Sequence, residues 1–170
     1  MRKLNCHSLV RSLNSLCKFL DETYSVNYGG CCFLAYLIAS HFDQLGLEYD
    51  LVIYDDYHKD RVSIEHEVLS RHRNKGFHNS VTGPHSCTHY CLQLRGAGVI
   101  NSDDDEREGR EHRYTIPGVS YKNIRWIYRN SKWNSCYEVR HNKTIKNIVK
   151  EFFKEYEKIP FHKVVYLPSV

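Results

Sequence analysis

Leu9, Leu13, Leu16 and Leu20 return at steps of three and four, with Val10 and Cys17 beside them, while Arg2, Lys3, Arg11 and Lys18 fall on other faces. This is the period of one buried helical stripe, and it predicts an amphipathic helix over residues 2–22. A polar turn from Ser25 to Gly30 follows. Residues 31–42 (Cys-Cys-Phe-Leu-Ala-Tyr-Leu-Ile-Ala-Ser-His-Phe) are then apolar almost all round, with Gly46 placed to end the element in the left-handed C′ conformation. A buried helix is expected there. From Glu48 to Tyr54 the residues turn β-branched and aromatic, which predicts a strand after the short Gly46-Leu47 connection.

The pattern weakens from Asp55 to Ser86, where histidines and charges dominate, one short helical stretch falls near Val62 to Leu69, and Gly83-Pro84 marks a turn. We read 56–86 as an insertion or lid. Strict alternation resumes at Thr88 to Leu94, and Gly96-Ala97-Gly98 permits a tight reversal into Val99-Ile100-Asn101, so a β-hairpin is expected. Residues 102–113 contain no apolar side chain, and the segment 102–118 is expected to be a solvated, mobile loop. Ile145, Ile148, Phe152 and Tyr156 predict a last helix from about Lys143 to Lys158. Trp126 and Trp133 are read as core or groove-wall residues, and no internal repeat is present.

Composition narrows the class. A chain of 170 residues with 41% hydrophobic and 26% charged residues builds one core, so residues 1–170 are read as a single domain rather than as a disordered or fibrous chain. Lys and Arg exceed Asp and Glu by 24 − 20 = +4, too small an excess to favour a nucleic-acid partner. Lys143, Lys146, Lys150, Lys154 and Lys158 do line the last helix, but Glu151, Glu155 and Glu157 interleave with them, as on a solvated face. The seven cysteines are odd in number, which favours reduced thiols. With no continuous apolar run of signal-peptide or membrane-spanning type, a cytoplasmic protein without a membrane partner is expected.

The candidate chemistry centres on Gly29-Gly30-Cys31 at the opening of the buried helix. Unpaired N–H groups and the positive end of the helix dipole stabilise a thiolate there, and two glycines let an acyl group approach closely. The competing reading is a structural cysteine after a flexible turn. Asn27, four residues earlier, has an amide able to donate to an oxyanion, or a simple turn-forming role. Cys87, His89 and Cys91 alternate on one strand face, but no Cys-x-x-Cys accompanies them, so neither a metal nor a cofactor is expected.

The order of these pieces carries a resemblance. Asn27-Tyr28-Gly29-Gly30-Cys31-Cys32-Phe33-Leu34-Ala35-Tyr36-Leu37, Gly46-Leu47-Glu48-Tyr49, His89-Tyr90-Cys91-Leu92-Gln93-Leu94 and Val99-Ile100-Asn101-Ser102-Asp103 together resemble the papain-like and transglutaminase-like cysteine enzymes. The resemblance spans roughly residues 25–103 and is closest to small phage- and bacterium-type members. It implies an α+β, papain-like fold, with N-terminal helices packed through the nucleophile helix on an antiparallel β-sheet. It implies Cys31 as nucleophile, His89 as base and Asn101 as the group orienting the imidazole. Cys32 stands where the family often has a small residue, and Ala35 favours Cys31 over it. Hairpin register decides among Asn101, Asp103 and Asp104 for the third position, with Asp103 in reserve.

The implied activity is peptidase- or isopeptidase-like hydrolysis of a protein or peptide through a thioester; transamidation or acyl transfer would use the same triad. The alternative is a catalytically silent, phage-encoded module that docks on a host protein in the host cytoplasm.

Overall fold

The computed structural model describes residues 5–27, 30–55, 89–101, 112–130 and 139–157. The expected insertion at 56–86, residues 102–111 of the expected loop with Asp103 and Asp104, and Cys87 and Trp133 lie outside the described residues.

Helix α1 (Cys6–Tyr24) starts where the Asn5 side chain accepts the Ser8 N–H at 3.0 Å, an N-cap that satisfies one of the unpaired first-turn donors. Its stripe of Leu9, Leu13, Cys17 and Leu20 is buried. Helix α2 (Cys31–Leu45) buries ten of its residues, because it lies between the strand His89–Leu94 of the sheet and the two helices nearer the C-terminus. Gly46 ends it at φ 66°, and its N–H returns to the Asp43 carbonyl.

Strands β1 (Tyr49–Asp55), β2 (His89–Leu94), β3 (Gly98–Ile100) and β4 (His112–Pro117) form an antiparallel sheet in the order β3-β2-β1-β4. The register pairs Ile53 with Tyr90, Leu92 with Ile100, and Leu51 with Ile116. Those six residues all join the core shared with the helices. Val52, Tyr54 and Cys91 are buried in a separate cluster with Val99, as strand alternation requires of the opposite face. Helix α3 (Tyr121–Asn130), a 3₁₀ turn (Val139–His141) and helix α4 (Asn142–Glu157) complete the described chain. Among the described residues, four helices and one small antiparallel sheet give an α+β architecture.

Two elements depart from the sequence expectation. The loop expected through residue 118 gives way to β4, in which Tyr114, Thr115 and Ile116 pair with Ile53, Val52 and Leu51. Central β1 buries Leu51, Val52 and Ile53 almost completely, and a second neighbour beside it satisfies the backbone groups that β2 leaves over. Helix α3 is the second departure, an element that no expectation covers. Asn123 Oδ1 accepts both the Ser120 N–H, at 3.1 Å, and the Ser120 hydroxyl, at 2.5 Å, which is half of a capping box with Asn in the place of Glu. Ile124 and Ile127 then pack into the core against α2. None of the helices among the described residues is long and apolar enough to cross a membrane.

Candidate active site

Cys31 is the first residue of α2, directly after Gly30, whose own N–H is bonded to the Val26 carbonyl at 2.7 Å. His89 is the first residue of β2, and Asn101 lies one position beyond the end of β3. Three residues from three element ends therefore converge at one place, where the N-terminus of α2 meets the end of the hairpin. Cys31 hydrogen-bonds to the His89 side chain, and His89 Nε2 lies 2.6 Å from Asn101 Oδ1. With Nε2 engaged by the Asn101 carbonyl oxygen, Nδ1 is the ring nitrogen left for the sulfur.

Alternation explains why Asn101 faces His89. The pairing of Gln93 with Val99 and Leu92 with Ile100 puts Asn101 on the face of Cys91 and His89, opposite the Leu92 side chain. Gly98, at φ 135°, turns the hairpin without shifting that register.

The electrostatics separate the two adjacent thiols. Burial pushes the Cys31 thiol up, but the His89 hydrogen bond and charge, with the backbone N–H groups of Tyr90 and Cys32, outweigh it and hold the thiol below its ordinary value. Cys32 is driven well above that value by burial and then by repulsion from Cys31. Its Sγ points the other way, toward the Ile124 carbonyl on α3. Cys31 and His89 are 5% and 3% exposed, so the pair is shielded from bulk water. Tyr54, opposite His89 on β1, covers the imidazole with ring centroids 6.2 Å apart. Beneath Cys31 lies a small cavity lined by Cys17, Leu34, Ile38, Leu92 and Ile100.

Asn27 has its backbone N–H tied to the Asp21 carboxylate at 2.7 Å, and residues 28 and 29 between it and Gly30 lie outside the described residues. Of the alternating Cys87, His89 and Cys91, Cys91 belongs to the cluster with Val52 and Tyr54, while His89 holds Asn101. Among the described residues no group of three His, Cys, Asp or Glu side chains is gathered for a metal.

One participant escaped the sequence reading. Asn14 of α1 accepts the Asn101 N–H at 2.9 Å and donates to the Val99 carbonyl at 3.0 Å. Its signal was a polar residue on the buried stripe, four positions after Val10 and three before Cys17.

Comparison of the chain with protein-family models, with curated proteins and with solved structures finds no match to any of the three.

Proposed function

We propose that this protein is a cysteine-dependent hydrolase acting on amide bonds of a protein or peptide substrate. The observation that carries the reading is the Cys31–His89–Asn101 arrangement, in which a helix-terminal thiol held below its ordinary pKa meets an imidazole that an amide oxygen orients at 2.6 Å. The finer, papain-like reading of the α+β fold is supported by the nucleophile lying on a buried helix that packs on an antiparallel sheet bearing the base.

In the proposed reaction the Cys31 thiolate attacks the substrate carbonyl carbon. The imidazolium of His89 protonates the leaving amine as the C–N bond breaks, and a thioester to Cys31 remains. Water, deprotonated by His89, then attacks the thioester carbon, releasing the carboxylic acid and returning the proton-sharing pair. An amine in place of water would give transamidation with the same residues. Asn101 holds the ring between the two partners it must serve in turn.

The near-complete burial of Cys31 and His89 favours a second reading, a docking module on the same fold in which the pair is inert. Treatment with an iodoacetamide-type electrophile followed by mass spectrometry separates the two. Rapid, selective modification of Cys31 at pH 6 supports the hydrolase. Modification of Cys31 no faster than that of a free thiol at that pH would leave the docking module.

A further inference from the structure

We infer that Asn14 is a positioning residue for this site, a side-chain amide that stands in for a neighbouring strand and fixes Asn101 against His89. The inference rests on the Cys31–His89–Asn101 reading and adds to it a part supplied by a helix that contributes nothing to the triad itself.

Among the described residues, strand β3 is the edge of the sheet, with β2 on one side only. Within a strand, the C=O of one residue and the N–H of the residue two positions on project to the same edge. Val99 C=O and Asn101 N–H are such a pair, and a further strand running parallel would satisfy both with a single residue. Here the Asn14 amide does so instead, its Oδ1 accepting from Asn101 at 2.9 Å and its Nδ2 donating to Val99 at 3.0 Å. Asn and Gln carry an N–H donor and a carbonyl acceptor side by side on one planar amide, as the backbone itself does, so the residue type matches the task.

The position of this clamp matters more than its existence. The register between β2 and β3 ends with Leu92 and Ile100, so Asn101 stands one position beyond the end of the ladder. Its N–H bond to Asn14 fixes the Cα from which the Asn101 side chain reaches His89. The contact it must hold is a single bond of 2.6 Å, and a displacement of about 1 Å would break it. Helix α1 is itself seated for the purpose. His7 Nδ1 meets the Ala97 carbonyl at 3.1 Å, Val10 Cγ1 lies 3.5 Å from where a Cβ on Gly98 would stand, and Asn14 follows on the same row, two turns from His7. The row runs along the hairpin, and Asn14 is its contact nearest Asn101.

The test is the pH profile of Cys31 alkylation in the full chain, probed with iodoacetamide and read by mass spectrometry, for wild type, Asn14→Leu, Asn14→Asp, His7→Ala and His89→Ala. Asn14→Leu removes both bonds at similar volume. Its reactivity at pH 6 should fall about tenfold as the acid limb moves up by about one pH unit. Asn14→Asp keeps the acceptor for Asn101 and should restore most of the rate. His7→Ala loosens the same helix away from Asn101, so it should lower the unfolding midpoint without moving the profile. Asn14→Ala, a strong helix former at that site, carries the leucine expectation should the larger residue fail to fold. An Asn14→Leu or Asn14→Ala profile coincident with wild type, while His89→Ala loses its acid-side reactivity, would overturn the role of Asn14 and leave the triad standing. A His7→Ala profile displaced as far as that of Asn14→Leu would reduce both residues to holding the helix in place. Coincident wild-type and His89→Ala profiles would remove the triad reading, and Asn14 with it.

Discussion

The thiol of Cys32 donates to the carbonyl of Ile124 at 3.6 Å, although its neighbour Cys31 hydrogen-bonds to His89 on the sheet. Successive side chains on a helix differ by about 100° in direction, so adjacent cysteines here serve different layers of the protein. One thiol faces the strand-borne imidazole, and the other faces α3.

The first prediction follows from that division. Cys31→Ala should abolish fast electrophile labelling and any hydrolytic activity, whereas Cys32→Ala should keep both and lose about 1 kcal/mol of stability through its buried contact with α3. Peptide mapping after labelling, with a denaturant titration of each variant, reads both effects. Loss of labelling in Cys32→Ala at unchanged stability would move the nucleophile by one residue.

The thiol pKa carries a stability consequence of definite sign. Because folded Cys31 is held below the ordinary 9.0, the native state releases this proton at lower pH than the unfolded chain does. The resulting stabilisation is fully present above 9.0 and is lost as pH falls through the folded value. His89→Ala leaves burial as the chief influence, so the Cys31 thiol should rise above 9.0 and the stabilisation should reverse sign. Urea midpoints for the two proteins between pH 6 and 10 should therefore diverge as the pH rises.

Gly46 gives a test of backbone conformation uncomplicated by packing. Its φ is 66°, and a Cβ built there would meet nothing within 4 Å. Gly46→Ala should cost about 1 kcal/mol from the left-handed conformation alone, and Gly46→Asn should recover part of that. Equal stability of the alanine variant and wild type would show that the α2–β1 connection relaxes to another turn.

His41 bears on the acid side. It stacks on Phe153 with centroids 4.4 Å apart, and its buried Nδ1 makes no hydrogen bond, with Glu157 Oε1 4.0 Å away. Burial holds its pKa below 6.5, against the opposing pull of Glu157 and a hydrogen bond with Gln44, while Lys150 adds to the lowering. The unfolded chain thus binds this proton first, and the contribution of His41 is intact above 6.5 and lost as pH falls through 6.5 toward the folded value. His41→Gln should lose less stability than wild type between pH 7.5 and 5, measured by urea midpoints.

Much of the scaffold was legible because it is periodic. The Leu9 to Leu20 stripe, the apolar run closed by Gly46, and the alternation of Tyr90, Leu92 and Leu94 each reflect a surface buried along its whole length. The two ends of the hairpin were legible for the same reason, and with them the positions of His89 and Asn101. Helix α3 was not, since its buried residues, Ile124 and Ile127, stand among basic and half-buried aromatic residues, and its start depends on an Asn123 that caps rather than packs. Strand β4 lay hidden behind an acidic run, and its pairing is dictated by β1, some sixty positions earlier. Asn14 was invisible for a deeper reason: hydrogen-bond complementarity between an amide and a strand edge leaves no period in the sequence.

The bond between Asn14 and Asn101 joins positions 87 residues apart. Translation proceeds from the N-terminus, so α1 emerges with its amide facing water long before the strand edge that will receive it exists. The helix must remain undocked, or docked elsewhere, until Asn101 has been made. The same interval separates an ordinary thiol at Cys31 from an activated one, because His89 also arrives late. A nascent chain would therefore carry no Cys31–His89 pair until most of its scaffold had been synthesised, and the onset of thiol reactivity would time the moment at which the first helix meets the last strand of the hairpin.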